Sequence, residues 1–158
     1  MFTNIIWATD GSEHAEHALD YATAIADREG AQLQVVHVVE KLVGGRVAGQ
    51  NVFVNEQEID AKIKEQARQA SAQHGIRATI HMIPSGAGQI ADRIAEIATD
   101  TGADLIVVGT RGHSALGGLI LGSVTQRLLH VAGCPVLAVP PTKTHAEAPS
   151  PPSAVTAS

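Results

Sequence analysis

The sequence predicts an α/β protein with a single doubly wound, Rossmann-like sheet of five parallel strands and helices on both faces. Three observations predict this class. Short aliphatic runs alternate along the chain with longer segments whose apolar residues keep helical spacing. The aliphatic runs are largely unbroken, which is typical of strands buried on both faces of a parallel sheet. The chain has 158 residues, 44% of them hydrophobic, which is enough for one domain with a sizeable core.

Five strands are predicted from apolar runs that are bounded by polar residues, glycine or proline. The predicted strands cover residues 3–9, 32–39, 76–83, 105–108 and 135–139. After the second strand, residues 40–55 contain three glycines and predict a long connection that serves as a flap or a partner surface. Because ligands of doubly wound sheets lie beyond the carboxyl ends of the strands, the segments that follow the strands are the first place to look for a site.

Four helices are predicted, one after each of the first four strands. They cover residues 13–29, 56–74, 89–101 and 123–131. The first helix follows Asp10 and Ser12, two residue types that cap helices, carries Glu13 in its first turn and stops at Gly30. Gly75 stops the second helix in the same way. The chain is therefore expected to alternate between strand and helix throughout.

Composition limits the partners of this chain. Eleven basic residues against 16 acidic ones give a net charge of −5, so no basic surface is expected that would bind nucleic acid or an anionic membrane. Aromatic residues make up only 3% of the chain, which disfavours binding of single strands by base stacking. The sequence contains neither a secretory signal nor a membrane-spanning run, and we expect a cytoplasmic protein.

The end of the chain differs in composition from the rest. Five of the seven prolines fall in the last nineteen residues, so we expect a folded domain over residues 1–140 and a disordered tail over residues 141–158. The single cysteine, Cys134, lies in an apolar stretch just before the last strand. Since no basic neighbour is in view to lower its pKa, it is expected to be a small core residue and not a catalytic thiol.

The most informative segment follows the fourth strand, where five of the fifteen glycines fall between Gly109 and Ser123. Gly109 leaves the strand, and Gly122 and Ser123 open the next helix, whose first N–H groups lack partners within the helix and favour an anion. A phosphate is therefore expected to bind there without a basic surface. Residues 117–123 also spell Gly-x-x-x-x-Gly-Ser, a P-loop pattern without its lysine, so fast nucleotide hydrolysis is not expected.

These residues resemble the nucleotide-binding branch of the universal stress protein family. That branch carries a glycine, two residues, a glycine, nine residues, and then a glycine followed by Ser or Thr. Gly109, Gly112, Gly122 and Ser123 match this spacing without a gap. The resemblance also includes Asp10 after the first strand, and it extends over nearly all of the predicted domain.

The resemblance implies a stress-response regulatory protein that binds ATP, with AMP or cyclic AMP as alternatives and Mg²⁺ arriving with the phosphates. The residues implied to contact the nucleotide are Thr9, Asp10, Val38, Val108, Gly109, Gly112, Gly122, Ser123 and Val124. Val38 and Val108 would frame the base, and the helix start at Ser123 would hold the phosphates. At most slow hydrolysis or autophosphorylation is implied, and a homodimer formed through the last strand, Pro135 to Val139.

Several of these residues also have simpler interpretations. Asp10 could serve only to cap the first helix, and Ser123 with Gln126 spells a capping box. Gly109 could serve only to supply a positive φ angle in a structural loop. Arg111 either meets a terminal phosphate or is a solvated loop residue. The alternative function is an interaction and dimerisation module of the same family that works without nucleotide.

Two further patterns are rejected as sites. Gly86 and Gly88 fit part of a dinucleotide fingerprint, but they follow the third strand, and the nearest suitable acid, Asp104, precedes the fourth. A tight turn between strand and helix is predicted there instead. His14 and His17 are one helical turn apart, but the sequence places no third ligand beside them, so no metal site is predicted.

Overall fold

The computed structural model describes residues 1–40, 56–86, 88–111 and 121–141. Strands alternate with helices throughout these residues, as the sequence predicts. The strands are β1 (Asn4–Ala8), β2 (Gln32–Glu40), β3 (Ala78–Ser85), β4 (Leu105–Gly109) and β5 (Val136–Val139). The helices are α1 (Glu13–Glu29), α2 (Glu56–His74), α3 (Ile90–Thr101) and α4 (Ser123–Val131).

The strands form one parallel sheet in the order β3-β2-β1-β4-β5. The chain runs outward from β1 to β3 and then crosses back to lay β4 on the other side of β1, so the direction of winding reverses between β1 and β4. This reversal defines a doubly wound sheet, and the predicted fold class is confirmed.

Two apolar layers cover the two faces of the sheet, because successive side chains of a strand point to opposite sides. In β1, Ile5 and Trp7 pack on one face with buried residues of α1 and α2. Ile6 and Ala8 pack on the other face with buried residues of α3 and α4. A strand covered on both faces, such as β1 or β4, therefore needs apolar residues at consecutive positions, which explains the unbroken aliphatic runs in the sequence.

The third strand lies two residues later than predicted, at Ala78–Ser85 instead of residues 76–83. Ile76 is buried, but it lies in the connection before the strand, so its apolar character reflects packing and not strand pairing. The strand continues through Pro84, which has no N–H group to pair. This is tolerated because β3 is at the edge of the sheet, where a proline can turn its nitrogen away from the neighbouring strand.

Two other predictions concern single residues. Cys134 is only half-buried at the rim of the α3 and α4 layer, so its placement in the core is corrected to this rim. Partial burial and, to a lesser extent, the nearby charge of Asp104 raise the pKa of the Cys134 thiol, which keeps it protonated. The predicted turn at Gly86 is confirmed, since Gly88 has a φ of 76° and the N–H of Gln89 donates to the carbonyl of Gly86 at 3.3 Å.

Some expectations fall outside the described residues. They are the long connection beyond residue 40, Gly112 of the glycine motif and the tail beyond residue 141. Within the part of the chain that the structure describes, no helix is long and apolar enough to cross a membrane.

Candidate functional site

A cavity of about 360 Å³ lies beyond the carboxyl ends of β1, β2 and β4, on the face covered by α3 and α4. Its volume falls within the range of pockets that hold small molecules. It is lined by eight of the nine residues implied by the resemblance, namely Thr9, Asp10, Val38, Val108, Gly109, Gly122, Ser123 and Val124. Gly112, the ninth, is outside the described residues. Residues that are far apart in sequence thus meet around one space.

One side of the cavity is apolar. Val38 at the end of β2 and Val108 at the end of β4 face it together with Ala8 from β1. Ile90 and Ile94 of α3 close this side, and the sequence analysis missed them as site residues. Their helical spacing predicts only that they face the core, whereas the structure also places both in the wall of the cavity.

The turn between β1 and α1 forms a second wall and is held by its own side chains. The hydroxyl of Thr9 accepts from the N–H of Gly11 at 3.1 Å, and the carboxylate of Asp10 accepts from the N–H of Ser12 at 3.0 Å. Ser12 caps α1 by accepting from the N–H of Ala15 at 3.3 Å. The capping role therefore belongs to Ser12, and Asp10 shapes the turn while lining the cavity.

The opposite wall is the amino end of α4. Gly122 occupies the cap position, and the first bond of the helix runs from the N–H of Gln126 to the carbonyl of Gly122 at 2.9 Å. The predicted capping box is wrong, because Ser123 is already the first helical residue and its side chain lies one position too late to cap. In the described part of the chain no side chain caps this helix. The N–H groups of Ser123, Val124 and Thr125 belong to its first turn, and such groups bind anions.

The two described glycines of the motif are needed for close approaches of the backbone. A Cβ atom at Gly109 would lie 2.9 Å from the carbonyl oxygen of His14 in α1, and one at Gly122 would lie 3.2 Å from the carbonyl oxygen of Thr110. Neither glycine is among those with positive φ. The alternative that Gly109 serves only to supply a positive φ angle is therefore wrong. The N–H of Gly122 also donates to the carbonyl of Thr110 at 2.7 Å and is already engaged.

Charge in the cavity is sparse. Among its described lining residues, Asp10 and Arg111 are the charged ones, with one charge of each sign. The described residues hold no group of three or more His, Cys, Asp or Glu side chains that could bind a metal ion. His17 instead lies against the ring of Tyr21, and its Nδ1 is 3.5 Å from a carboxylate oxygen of Asp20. The site offers backbone N–H groups and apolar walls in place of a cluster of charged side chains.

Fold and site together define a class of protein: a doubly wound α/β domain with a cavity between its strand ends and the start of a helix. The sequence matches the model of the Universal stress protein family over residues 1–140, and the chain belongs to this family. It is 36% identical over 151 residues to universal stress protein YxiE of Bacillus subtilis, a match that covers 88% of this chain and 99% of the relative.

Solved structures show the same fold. The structure of protein MJ0577 of Methanocaldococcus jannaschii matches with a TM-score of 0.74 at 26% identity, covering 91% of this chain and 99% of that one. A universal stress protein in complex with cAMP matches with a TM-score of 0.65 at 25% identity, over 87% of this chain and 96% of that one. One from Archaeoglobus fulgidus in complex with dAMP matches with a TM-score of 0.58 at 25% identity, over 88% and 98%.

Proposed function

We propose that this protein is an ATP-binding regulatory protein of the stress response, with the nucleotide held in the cavity at the carboxyl ends of β1, β2 and β4. The observation that carries the proposal is the division of this cavity into an apolar side and a side made of the first N–H groups of α4, which no side chain caps among the described residues. An adenine nucleotide has the matching division into a flat base and a charged phosphate end. The solved relatives with cAMP and dAMP support an adenine nucleotide.

The base is assigned to the apolar side, between Val38 and Val108 and against Ile90 and Ile94. With no aromatic residue among the described lining residues, contact with aliphatic side chains and backbone groups supplies the affinity there. Asp10 lies between the two sides and is assigned to the ribose, whose hydroxyl groups donate readily to a carboxylate.

The phosphates are assigned to the amino end of α4. The N–H groups of Ser123 and Val124, the hydroxyl of Ser123 and the positive end of the helix dipole bind anions without a net positive surface. The N–H of Gly122 already donates to the carbonyl of Thr110, so Gly122 is not expected to bond to a phosphate. Its role is to lack a side chain, which lets the backbone approach Thr110 closely. Mg²⁺ would be bound chiefly through the phosphates, with Asp10 as the nearby carboxylate.

Several finer properties belong to the same proposal. No described lining residue is a lysine that could reach a terminal phosphate, so hydrolysis or autophosphorylation is expected to be slow at most. A homodimer is proposed through β5, an edge strand of the sheet with one unpaired side in the described chain. A cytoplasmic location is proposed with it.

Calorimetric titration of the purified chain with ATP, AMP and cyclic AMP tests the proposal. Micromolar affinity is expected, the range that backbone groups without a P-loop lysine would give. Trp7 supplies a second signal, since it is the single tryptophan and its indole donates to the carbonyl of Ala15, a lining residue. Its fluorescence should change on binding.

A matched pair of variants shows whether binding occurs in this cavity. Ala8→Leu places three more carbons between Val38 and Val108 and is expected to abolish binding. Ala95→Leu makes the same change on α3 at a residue that does not line the cavity, and it should bind like the wild type. No binding of any of the three nucleotides by the wild type would favour the alternative, an interaction module that works without nucleotide.

A further inference from the structure

Three buried side chains donate hydrogen bonds to main-chain carbonyls of residues that line the cavity. Trp7 donates from Nε1 to Ala15 at 2.8 Å, and the hydroxyl of Thr125 donates to Gly109 at 2.8 Å. Nδ1 of His37 lies 2.9 Å from the carbonyl oxygen of Thr9. Since a carbonyl oxygen can only accept, Nδ1 of His37 carries the proton. Each bond joins a different pair of the elements that surround the cavity.

We propose that these three side chains form a positioning frame for the cavity, and that Thr125 positions its phosphate end. This inference rests on the proposed function, because it assigns roles toward the nucleotide of that site. Thr125 is a positioning residue in this scheme: its hydroxyl acts through Gly109 and through the angle at which α4 meets β4.

The hydroxyl of Thr125 reaches out of its own helix to the end of β4, sixteen residues earlier in the chain. A second bond, from the N–H of Gly122 to the carbonyl of Thr110, ties the same two elements together. With both bonds made, the amino end of α4 is fixed relative to β4. The N–H groups of Ser123 and Val124 are then aimed at one place before any ligand arrives, and little ordering remains for binding.

Thr23 provides a comparison with Thr125, because its hydroxyl bond is purely structural. It is buried in α1, and its hydroxyl donates within that helix, to the carbonyl of Leu19 at 2.9 Å and, in a shared bond, to that of Asp20 at 3.1 Å. That bond joins no two elements, and neither Thr23 nor Leu19 lines the cavity. Thr23 and Thr125 therefore offer the same substitution, with the same loss of a buried hydroxyl bond, in two different settings.

The test measures the affinities of ATP and of adenosine, which lacks phosphate, for four proteins: the wild type, Thr125→Val, Thr125→Ser and Thr23→Val. Thr125→Val keeps the branched shape and removes the hydroxyl, and we expect the Kd for ATP to rise about three- to tenfold, as one lost hydrogen bond would allow. The Kd for adenosine should change less than about twofold, because the base end stays in place. Thr125→Ser keeps the hydroxyl and should keep the wild-type ratio of the two Kd values.

Thr23→Val serves as the control, and it should lower the melting temperature about as much as Thr125→Val while leaving both Kd values unchanged. If Thr125→Val binds ATP as the wild type does, or weakens ATP and adenosine equally, the positioning role is refuted and the proposed function stands. If the wild type binds neither ligand, the proposed function fails and this inference fails with it.

Discussion

The two ends of the sheet differ in how side chains bond to the main chain. At the amino ends of β1 and β4, the carboxylate of Asp104 accepts from the N–H and the hydroxyl of Thr3, both at 2.8 Å, and from the N–H of Asn4 at 3.2 Å. The side-chain amide of Asn4 then donates to the carbonyl of Thr101 at 2.7 Å. Side chains thus tie together the segments that enter the two strands.

This arrangement continues across the sheet toward β3. Asn4 accepts from the amide nitrogen of Gln34 at 3.1 Å, and the amide oxygen of Gln34 lies 2.8 Å from Nε2 of His81. Because the chain of bonds ends on the carbonyl of Thr101, which can only accept, the direction of every bond is fixed and Nε2 of His81 is the donor. The side chains at the amino end thus form one connected set of hydrogen bonds from β3 to the segment before β4.

The carboxyl end is open by comparison. The amino end of α4 has no capping side chain in the described part of the chain, and the space in front of it is a cavity. Because glycine occupies the cap position, the loss of stability relative to a helix with a side-chain cap is expected to be only about 0.3 kcal/mol. The amino end is therefore tied together by side chains, whereas the proposed phosphate site lies at the carboxyl end, where no described side chain caps α4.

The largest effect on stability is expected from removing the carboxylate that ties the amino end of the sheet together. Asp104→Ala removes an acceptor of three hydrogen bonds to a charged group, and we expect the free energy of unfolding at neutral pH to fall by about 2 kcal/mol. Chemical denaturation measures this change. The affinity for ATP should not change, since Asp104 is at the opposite end of β4 from the cavity, and a large loss of affinity would contradict the separation of the two ends.

The same carboxylate makes a prediction about pH. Burial raises the pKa of Asp104, but the hydrogen bonds from Thr3 and Asn4 lower it more, so its pKa in the folded protein is below its ordinary value. The ionised form therefore stabilises the folded protein above about pH 4, and this contribution is lost as pH falls through the folded pKa. Accordingly, the difference in unfolding free energy between the wild type and Asp104→Asn should shrink on acidification. A constant difference would contradict it.

A smaller effect, with opposite signs for stability and binding, is expected at the open end. Ser123→Asp places a negative charge in the first turn of α4 at an exposed residue, which should stabilise the protein by about 0.5 kcal/mol. The same charge repels phosphate and should raise the Kd for ATP about tenfold. Ser123→Asn has nearly the same shape without the charge and is the control for thermal unfolding and calorimetry. Unchanged ATP binding by Ser123→Asp would contradict the assignment of the phosphates to the start of α4.

Local signals predicted the order of the elements, and the doubly wound topology that this order implies predicted the place of the cavity. The lining residues Val38 and Val108 were implied only by the family resemblance. Periodic apolar residues define strands and helices, and glycines at strand ends indicate close approaches. The bond from Gly122 to Thr110 depends on how tightly the chain closes after β4, which no local pattern states. The position of the α4 cap was wrong by one residue for the same reason, since backbone angles at Gly122 and not residue types decide where the helix begins.

The smallest effect is expected where a polar contact is fully made but exposed to water. Arg127 of α4 lies 3.0 Å from a carboxylate oxygen of Asp92 on α3, with their side chains 58% and 39% exposed. Water and salt screen such a pair, so the coupling energy from the cycle of Arg127→Ala, Asp92→Ala and the double variant should be at most about 0.5 kcal/mol. Added salt should reduce it further. A coupling as large as the effect of Asp104 would mean that one exposed ion pair contributes as much to stability as the three hydrogen bonds that the carboxylate of Asp104 accepts.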